Sequence, residues 1–172
     1  VIYWLKKLED AGRIPVVPVF LDSPMALEAL KHYSERAGEL DPDVRPARGQ
    51  LSAFMTKRFQ AVTTSRQSAE LAGSRIPAIV ISSSGMATGG RIKHHLAMNI
   101  SRPESTILFV GYQGEGTLGG HLMRGADKAR INGRDMPVRA TIRSLSAAAA
   151  SVSPRSPMRN AACSWARATM RS

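Results

Sequence analysis

Apolar residues at Ile2, Leu5, Leu8 and Ala11 recur at the spacing of one helix face, and Gly12 stands where such a helix would stop. The run "IPVVPVFLDS" is continuous and β-branched and predicts a buried strand ending at Asp22-Ser23. Pro24 is placed to open the next helix, "PMALEALKHYSERAG", and "ELDPDVRPARGQ" is loop by composition. Residues 51–72 read as helical in pieces, with "SRQSAELAG" the clearest. A second buried strand, "IPAIVISSSG", leads through a glycine turn into a helix predicted from about Thr88 to Asn99. "STILFVGYQ" follows as a third strand and "GTLGGHLMRGA" as a short helix. "KARINGRDMPVRATIRSL" alternates and predicts two strands joined around Asn132-Gly133 and Asp135.

Strands alternating with helices indicate an α/β fold: a mostly parallel sheet flanked by helices, with a β-hairpin toward the C-terminus. No internal repeat is present. From Ser146 to Ser172 the order breaks down. Ala, Ser and Arg supply 18 of these 27 residues without a periodic apolar face, and burial cannot then offset the entropy of ordering them, so this tail is expected to be disordered.

Composition adds boundaries. With 43% hydrophobic and 22% charged residues the 172-residue chain has the balance of a soluble globular domain. No apolar run approaches the roughly 20 residues of a membrane-spanning helix, so no membrane partner is expected. The opening "VIYWLKKLEDAGRIP" reads as an amphipathic helix and not as a signal peptide, and with Val1 in place of Met the true start of the protein is expected upstream. The single Cys163 rules out an internal disulfide and fits a cytoplasmic location. The net charge of +11 is uneven: residues 1–100 contribute +4 and residues 101–172 contribute +7, four of those arginines lying in the tail. Such basicity suits a polyanionic partner such as nucleic acid, and an incidental basic surface accounts for it equally well.

Chemistry concentrates in "ISSSGMATGGRIKHHL", residues 81–96. In open α/β sheets ligands bind beyond the carboxyl ends of the strands. Gly85, Gly89 and Gly90 fall at such an end, where a helix begins. Glycines let backbone approach a phosphate, and the first N–H groups of a helix lack intrahelical acceptors. Ser82, Ser83, Ser84 and Thr88 add hydroxyls, and Arg91 can grip a phosphate oxygen. The spacing G-x-x-x-G-G-R is neither a Walker A loop nor the dinucleotide fingerprint. Phosphate cradle and tight structural turn both remain open on these residues. Neighbouring helix positions diverge by about 100°, so His94 and His95 cannot chelate one ion as an i, i+4 pair can. Asp22 and Ser23 in "FLDSPMA", and Glu115 and Thr117 in "VGYQGEGTLG", read most simply as turns and caps.

Taken in order, "PVFLDSPMA", "SRQSAEL", "PAIVISSSGMATGGRIKHHL", "ILFVGYQGEGTLGGHL" and "INGRDMPVRATI" resemble the β-CASP group of metallo-β-lactamase-fold RNA nucleases. That group includes ribonuclease J and the nuclease subunit of the cleavage and polyadenylation machinery. The likeness spans roughly residues 1–145, and its most specific element is S-G-M-A-T-G-G-R. It implies a β-CASP domain over residues 1–125, strands of a metallo-β-lactamase core over 126–145, and a tail from 146. It further implies zinc-dependent phosphodiester hydrolysis in a full-length parent, with two zinc ions activating water. Single-stranded RNA and the missing metallo-β-lactamase domain are the implied partners, with a homodimer as a further option. Ser83, Ser84, Gly85, Met86, Thr88, Gly89, Gly90 and Arg91 would line the RNA side of the lid, with Asp22 and Ser23 beside them.

The departures carry their own expectations. The family's H-x-H-x-D-H zinc motif has no counterpart here, so no catalytic residue or metal ligand is assigned, no zinc is expected on this chain, and the chain alone is expected to be inactive. "VRATIRSLS" is followed by an Ala-rich tail in place of S-A-H-x-D, as if the coding frame were lost near Ser146. Gly120 stands where the family often carries a basic residue after T-L-G. The competing readings are a non-catalytic module binding RNA or a nucleotide phosphate, and an inert fragment.

Overall fold

In the computed structural model, which describes residues 1–44 and 53–145, the chain is built as anticipated from alternating strands and helices. Helix α1 (Ile2–Asp10) buries Leu5 and Glu9, one turn apart on one face. Gly12, at φ +64°, ends it: Gly12 N–H bonds Glu9 O and Arg13 N–H bonds Leu8 O, the paired bonds of a Schellman stop. Strand β1 (Val19–Asp22) is shorter than the apolar run suggested, because Pro15 and Pro18 have no N–H to offer a sheet. Helix α2 (Pro24–Glu35) starts on Pro24, and the Ser23 hydroxyl caps it by accepting from Ala26 N–H at 3.2 Å.

The first correction falls on residues 51–72. Phe59–Ala61 is not helical but forms strand β2, parallel to β1 in the register Val19↔Phe59. Three residues carry no periodicity of their own; the strand exists because the open edge of β1 offers it hydrogen bonds, extended at either end by Val19 N–H to Arg58 O and Val62 N–H to Leu21 O. Helix α3 (Ser65–Gly73) matches "SRQSAELAG" and opens with a reciprocal capping box between Thr64 and Gln67. Strand β3 (Ile79–Ser82) completes a three-stranded parallel sheet in the order β2-β1-β3.

Helix α4 (Ile92–Asn99) begins four residues later than predicted, because the chain must first turn through Gly89-Gly90. Gly90 has φ +75°, and a Cβ there would sit 3.0 Å from the Ser83 carbonyl oxygen, so the turn requires glycine. Strand β4 (Thr106–Val110) and helix α5 (Leu118–Met123) follow. The final stretch then gives three strands, not two. Strands β5 (Lys128–Ile131) and β6 (Arg134–Pro137) form an antiparallel hairpin around Asn132 and Gly133, both at positive φ. After Pro137 the chain is turned away by Val138 N–H to Asp127 O and by Arg139 and Ala140 N–H to Ile100 O. Strand β7 (Thr141–Leu145) therefore pairs in parallel with β4.

Val19, Leu21, Val62 and Ala72 are buried about the first sheet. A core cluster joins Ala87, Leu96, Ile100, Phe109, Leu122, Ala129 and Ile131, so β5 shares its core with α4, β4 and α5. The fold class expected from the pattern holds: a parallel sheet flanked by helices, with a late hairpin. The expectations for the tail from 146, for the loop over 45–50, and for 51–52 at the start of the stretch read as helical, lie outside the described residues.

Candidate functional site

The carboxyl ends of β1 and β3 lie side by side, with Asp22 paired to Ser82. Asp22 is fully buried, and its carboxylate is a junction of three elements. Ser68 Oγ on α3 donates to Oδ2 at 2.5 Å, His95 Nε2 on α4 donates to the same oxygen at 2.6 Å, and Arg91 Nη1 donates to Oδ1 at 2.7 Å. Burial pushes the Asp22 carboxyl up, but the hydrogen bonds from Ser68, His95 and Arg91, with the charge of His95, outweigh it and hold its pKa below the ordinary aspartate value.

Arg91 reaches further. Its Nη1 also donates to Val62 O and its Nη2 to Thr63 O, both at 3.0 Å. The residue that opens α4 is thereby fastened to the end of β1 and to the segment leaving β2. Ser23 and Ser83 share a 2.8 Å hydroxyl bond, and Ser82 Oγ donates to Asp22 O at 2.9 Å. The family resemblance implies that Asp22 and Ser23 lie on the RNA side; in the structure they are buried, at 0% and 2% exposure, and bonded to the serines at the end of β3.

Above this junction runs the glycine loop. Gly85, Met86, Thr88 and Gly90 are exposed, Ser84 and Gly89 are half-buried, and Ser84 Oγ lies 3.2 Å from Thr88 Oγ1. Ala87, at φ +57°, drops into the core. A second loop braces the first: Gln113 Nε2 donates to Gly85 O and Gly119 N–H donates to Met86 O, both at 3.1 Å. The brace depends on small residues. A Cβ on Gly119 would strike the Gln113 side chain, and one on Gly120 would strike the Gly114 carbonyl oxygen. At Gly120, where a basic residue was the familial expectation, this backbone admits no side chain.

The available donors also differ in place from the sequence reading. The first N–H groups of α4 are occupied: Ile92 bonds Ser83 O, Lys93 bonds Gly90 O and His94 bonds Arg91 O. The N–H groups of Gly85, Met86, Thr88, Gly89 and Gly90 make no hydrogen bond to the described residues. Donors for an anion therefore lie in the loop and not at the helix start.

A model of the Beta-Casp domain matches residues 1–122. The chain belongs to the Beta-Casp family. It is 34% identical over 134 residues to Ribonuclease TTHA0252 of Thermus thermophilus, covering 77% of this chain and 31% of that protein. To the Transcription termination factor FttA of Thermococcus kodakarensis it is 33% identical over 132 residues, covering 74% and 20% respectively. To an RNase J-like protein of Methanocaldococcus jannaschii the identity is 26% over 132 residues, covering 77% and 30%. The chain thus spans about a third or less of the length of these relatives.

In this Beta-Casp chain the structure gathers Asp22, Ser23, Ser83 and Arg91 into one bonded group and sets Ser84, Gly85, Met86, Thr88, Gly89 and Gly90 over it. Sequence reasoning missed Ser68, His95 and Gln113. One signal was available for His95. It lies four residues after Arg91, so both fall on one helix face. Ser68 and Gln113 carried no local signal. Among the described residues no three His, Cys, Asp or Glu side chains are grouped to hold a metal ion. Asp22 and His95 bond each other beside the Arg91 cation, and that donor set does not suit zinc. No helix among the described residues is long and apolar enough to cross a membrane.

Proposed function

We propose that this chain is the RNA-binding lid portion of a zinc-dependent RNA-processing nuclease, active only in its full-length parent. The observation that carries the reading is the exposed loop 84–90. It has five unengaged backbone N–H groups and the hydroxyls of Ser84 and Thr88, held over a rigid base at the carboxyl edge of a parallel sheet. Neutral donors in this arrangement suit the oxygens of an RNA phosphodiester. The relatives named as a ribonuclease, an RNase J-like protein and a transcription termination factor support RNA as the substrate class. On this reading the zinc ligands belong to the remainder of the parent. The missing metallo-β-lactamase domain is the intramolecular partner, and the setting is cytoplasmic.

The test is a fluorescence-anisotropy titration of a single-stranded RNA into the purified chain, beside the variant Ser84→Ala/Thr88→Ala and the variant Gly90→Ala. Binding that weakens in both variants is expected. An RNA affinity unchanged by all three substitutions would remove the loop from the interface. Zinc-dependent RNA cleavage by this chain alone would overturn the division of labour.

A further inference from the structure

We infer that Arg91 serves RNA binding as a positioning residue and contacts no phosphate, an inference that rests on the loop being the RNA site. An arginine beside a glycine loop ordinarily suggests a bidentate grip on phosphate. Here the guanidinium is turned the other way. Its side chain is only 18% exposed, one nitrogen bridges Asp22 Oδ1 and the Val62 carbonyl, and the other terminal nitrogen bonds the Thr63 carbonyl. Three of the five N–H donors of an arginine are thus engaged inside the protein. The charge is engaged as well, since the Asp22 carboxylate at 2.7 Å neutralises it.

To reach a phosphate, Arg91 would have to break an ion pair at whose far side Asp22 is fully buried and could not be rehydrated. It would also leave the Val62 and Thr63 carbonyls without their donor. Its backbone shows what the side chain accomplishes by staying. Arg91 O accepts from His94 N–H at 3.0 Å, and Gly90 O accepts from Lys93 N–H at 3.3 Å, so the residues that anchor the side chain also set where the loop ends and α4 begins. With Arg91 fixed, Gly89 and Gly90 are held in register above Ser83. RNA phosphates are then received by loop N–H and hydroxyl groups, which carry no net charge.

Salt dependence separates the two roles. Each phosphate neutralised on a single strand contributes about 0.7 to the slope of log affinity against log salt. For Arg91→Ala we expect RNA affinity to fall tenfold or more with that slope unchanged; a slope shallower by about 0.7 would mean a lost phosphate contact and would overturn the inference. An unchanged affinity would overturn it too. Arg91→Lys keeps the charge but cannot span the same three acceptors, so it should fall nearly as far as Arg91→Ala, whereas near-normal binding by Arg91→Lys would restore the contact role. A reading on the unmutated chain guards against variants that fail to fold. RNA should shift the Gly89 and Gly90 amide resonances and leave the Arg91 guanidinium resonances in place; movement of the guanidinium signals would refute the positioning role. If the unmutated chain binds no RNA and the glycine amides stay still, the loop proposal itself falls, and this inference falls with it.

Discussion

Asp22→Ala removes the carboxylate that joins β1, α3 and α4. The loss is large because the groups left behind cannot easily find water. His95, at 7% exposure, loses the acceptor for Nε2, and Ser68, at 3%, loses the acceptor for its hydroxyl. Arg91 keeps two carbonyls but loses its counter-charge. Breaking a buried ion pair from one side costs about 3–5 kcal/mol. Arg91 retains some solvent access, which places this case near the lower end, at about 3 kcal/mol. Against a typical domain stability of about 5–15 kcal/mol, that is a major fraction. Equilibrium urea unfolding followed by circular dichroism is the assay, and the midpoint should fall by about 1–3 M at ordinary denaturant sensitivities. Glu104→Gln is the control: that carboxylate pairs with Arg102 at 2.8 Å on the surface, and its loss should leave the midpoint where it was. A loss below about 1 kcal/mol for Asp22→Ala would refute the reasoning, because the junction would then not hold these elements together.

Further outcomes follow from the same geometry. The folded Asp22 carboxyl titrates below its unfolded value, so its contribution is present above about pH 4 and is lost as pH falls through the folded pKa. Urea midpoints between pH 5 and pH 3 should therefore drop more steeply in the unmutated chain than in Asp22→Asn; parallel curves would contradict the assignment. Gly120→Ala drives a Cβ into the Gly114 carbonyl and should cost about 1–3 kcal/mol in the same unfolding assay. Gly73→Ala, at the end of α3 with nothing within 4 Å of the added methyl, should be neutral or stabilising by up to about 1 kcal/mol, and the reverse order of the two glycines would be inconsistent with the packing. One face of the β4–β7 pair leaves Leu108, Val110 and Leu145 at 40%, 48% and 50% exposure, with Val110 directly opposite Leu145. Val110→Thr/Leu145→Thr should raise the concentration at which light scattering still reports a single species, and unchanged association would clear this face of responsibility.

Several elements were legible in the sequence because their causes are local. Gly12 ends α1 by adopting a positive φ, Ser23-Pro24 opens α2 through a cap three residues away, Thr64 and Gln67 close a capping box, and Asn132-Gly133 supports a two-residue hairpin turn. Each signal lies within a few residues of what it controls, so chain order alone carries it. The glycine loop was legible for the same reason: Gly90 is required by its own φ and by the carbonyl it passes.

What only the tertiary structure decided involves pairings across long stretches of chain. Asp22 meets Ser68, Arg91 and His95 at separations of 46, 69 and 73 residues, and no window of sequence contains two ends of such a bond. Strand β2 exists because β1 has an edge to fill, and β7 joins β4 because Ile100 O turns the chain after the hairpin. The same closure reversed the meaning of the site. The family resemblance implies that Asp22, Ser23 and Arg91 face the ligand, but folding placed a buried carboxylate beneath a guanidinium and left the loop backbone as the exposed donor. Residue type determined which groups were available for chemistry. Burial determined which of them neutralise each other and which remain open to a ligand, and burial is a property of the assembled sheet and helices.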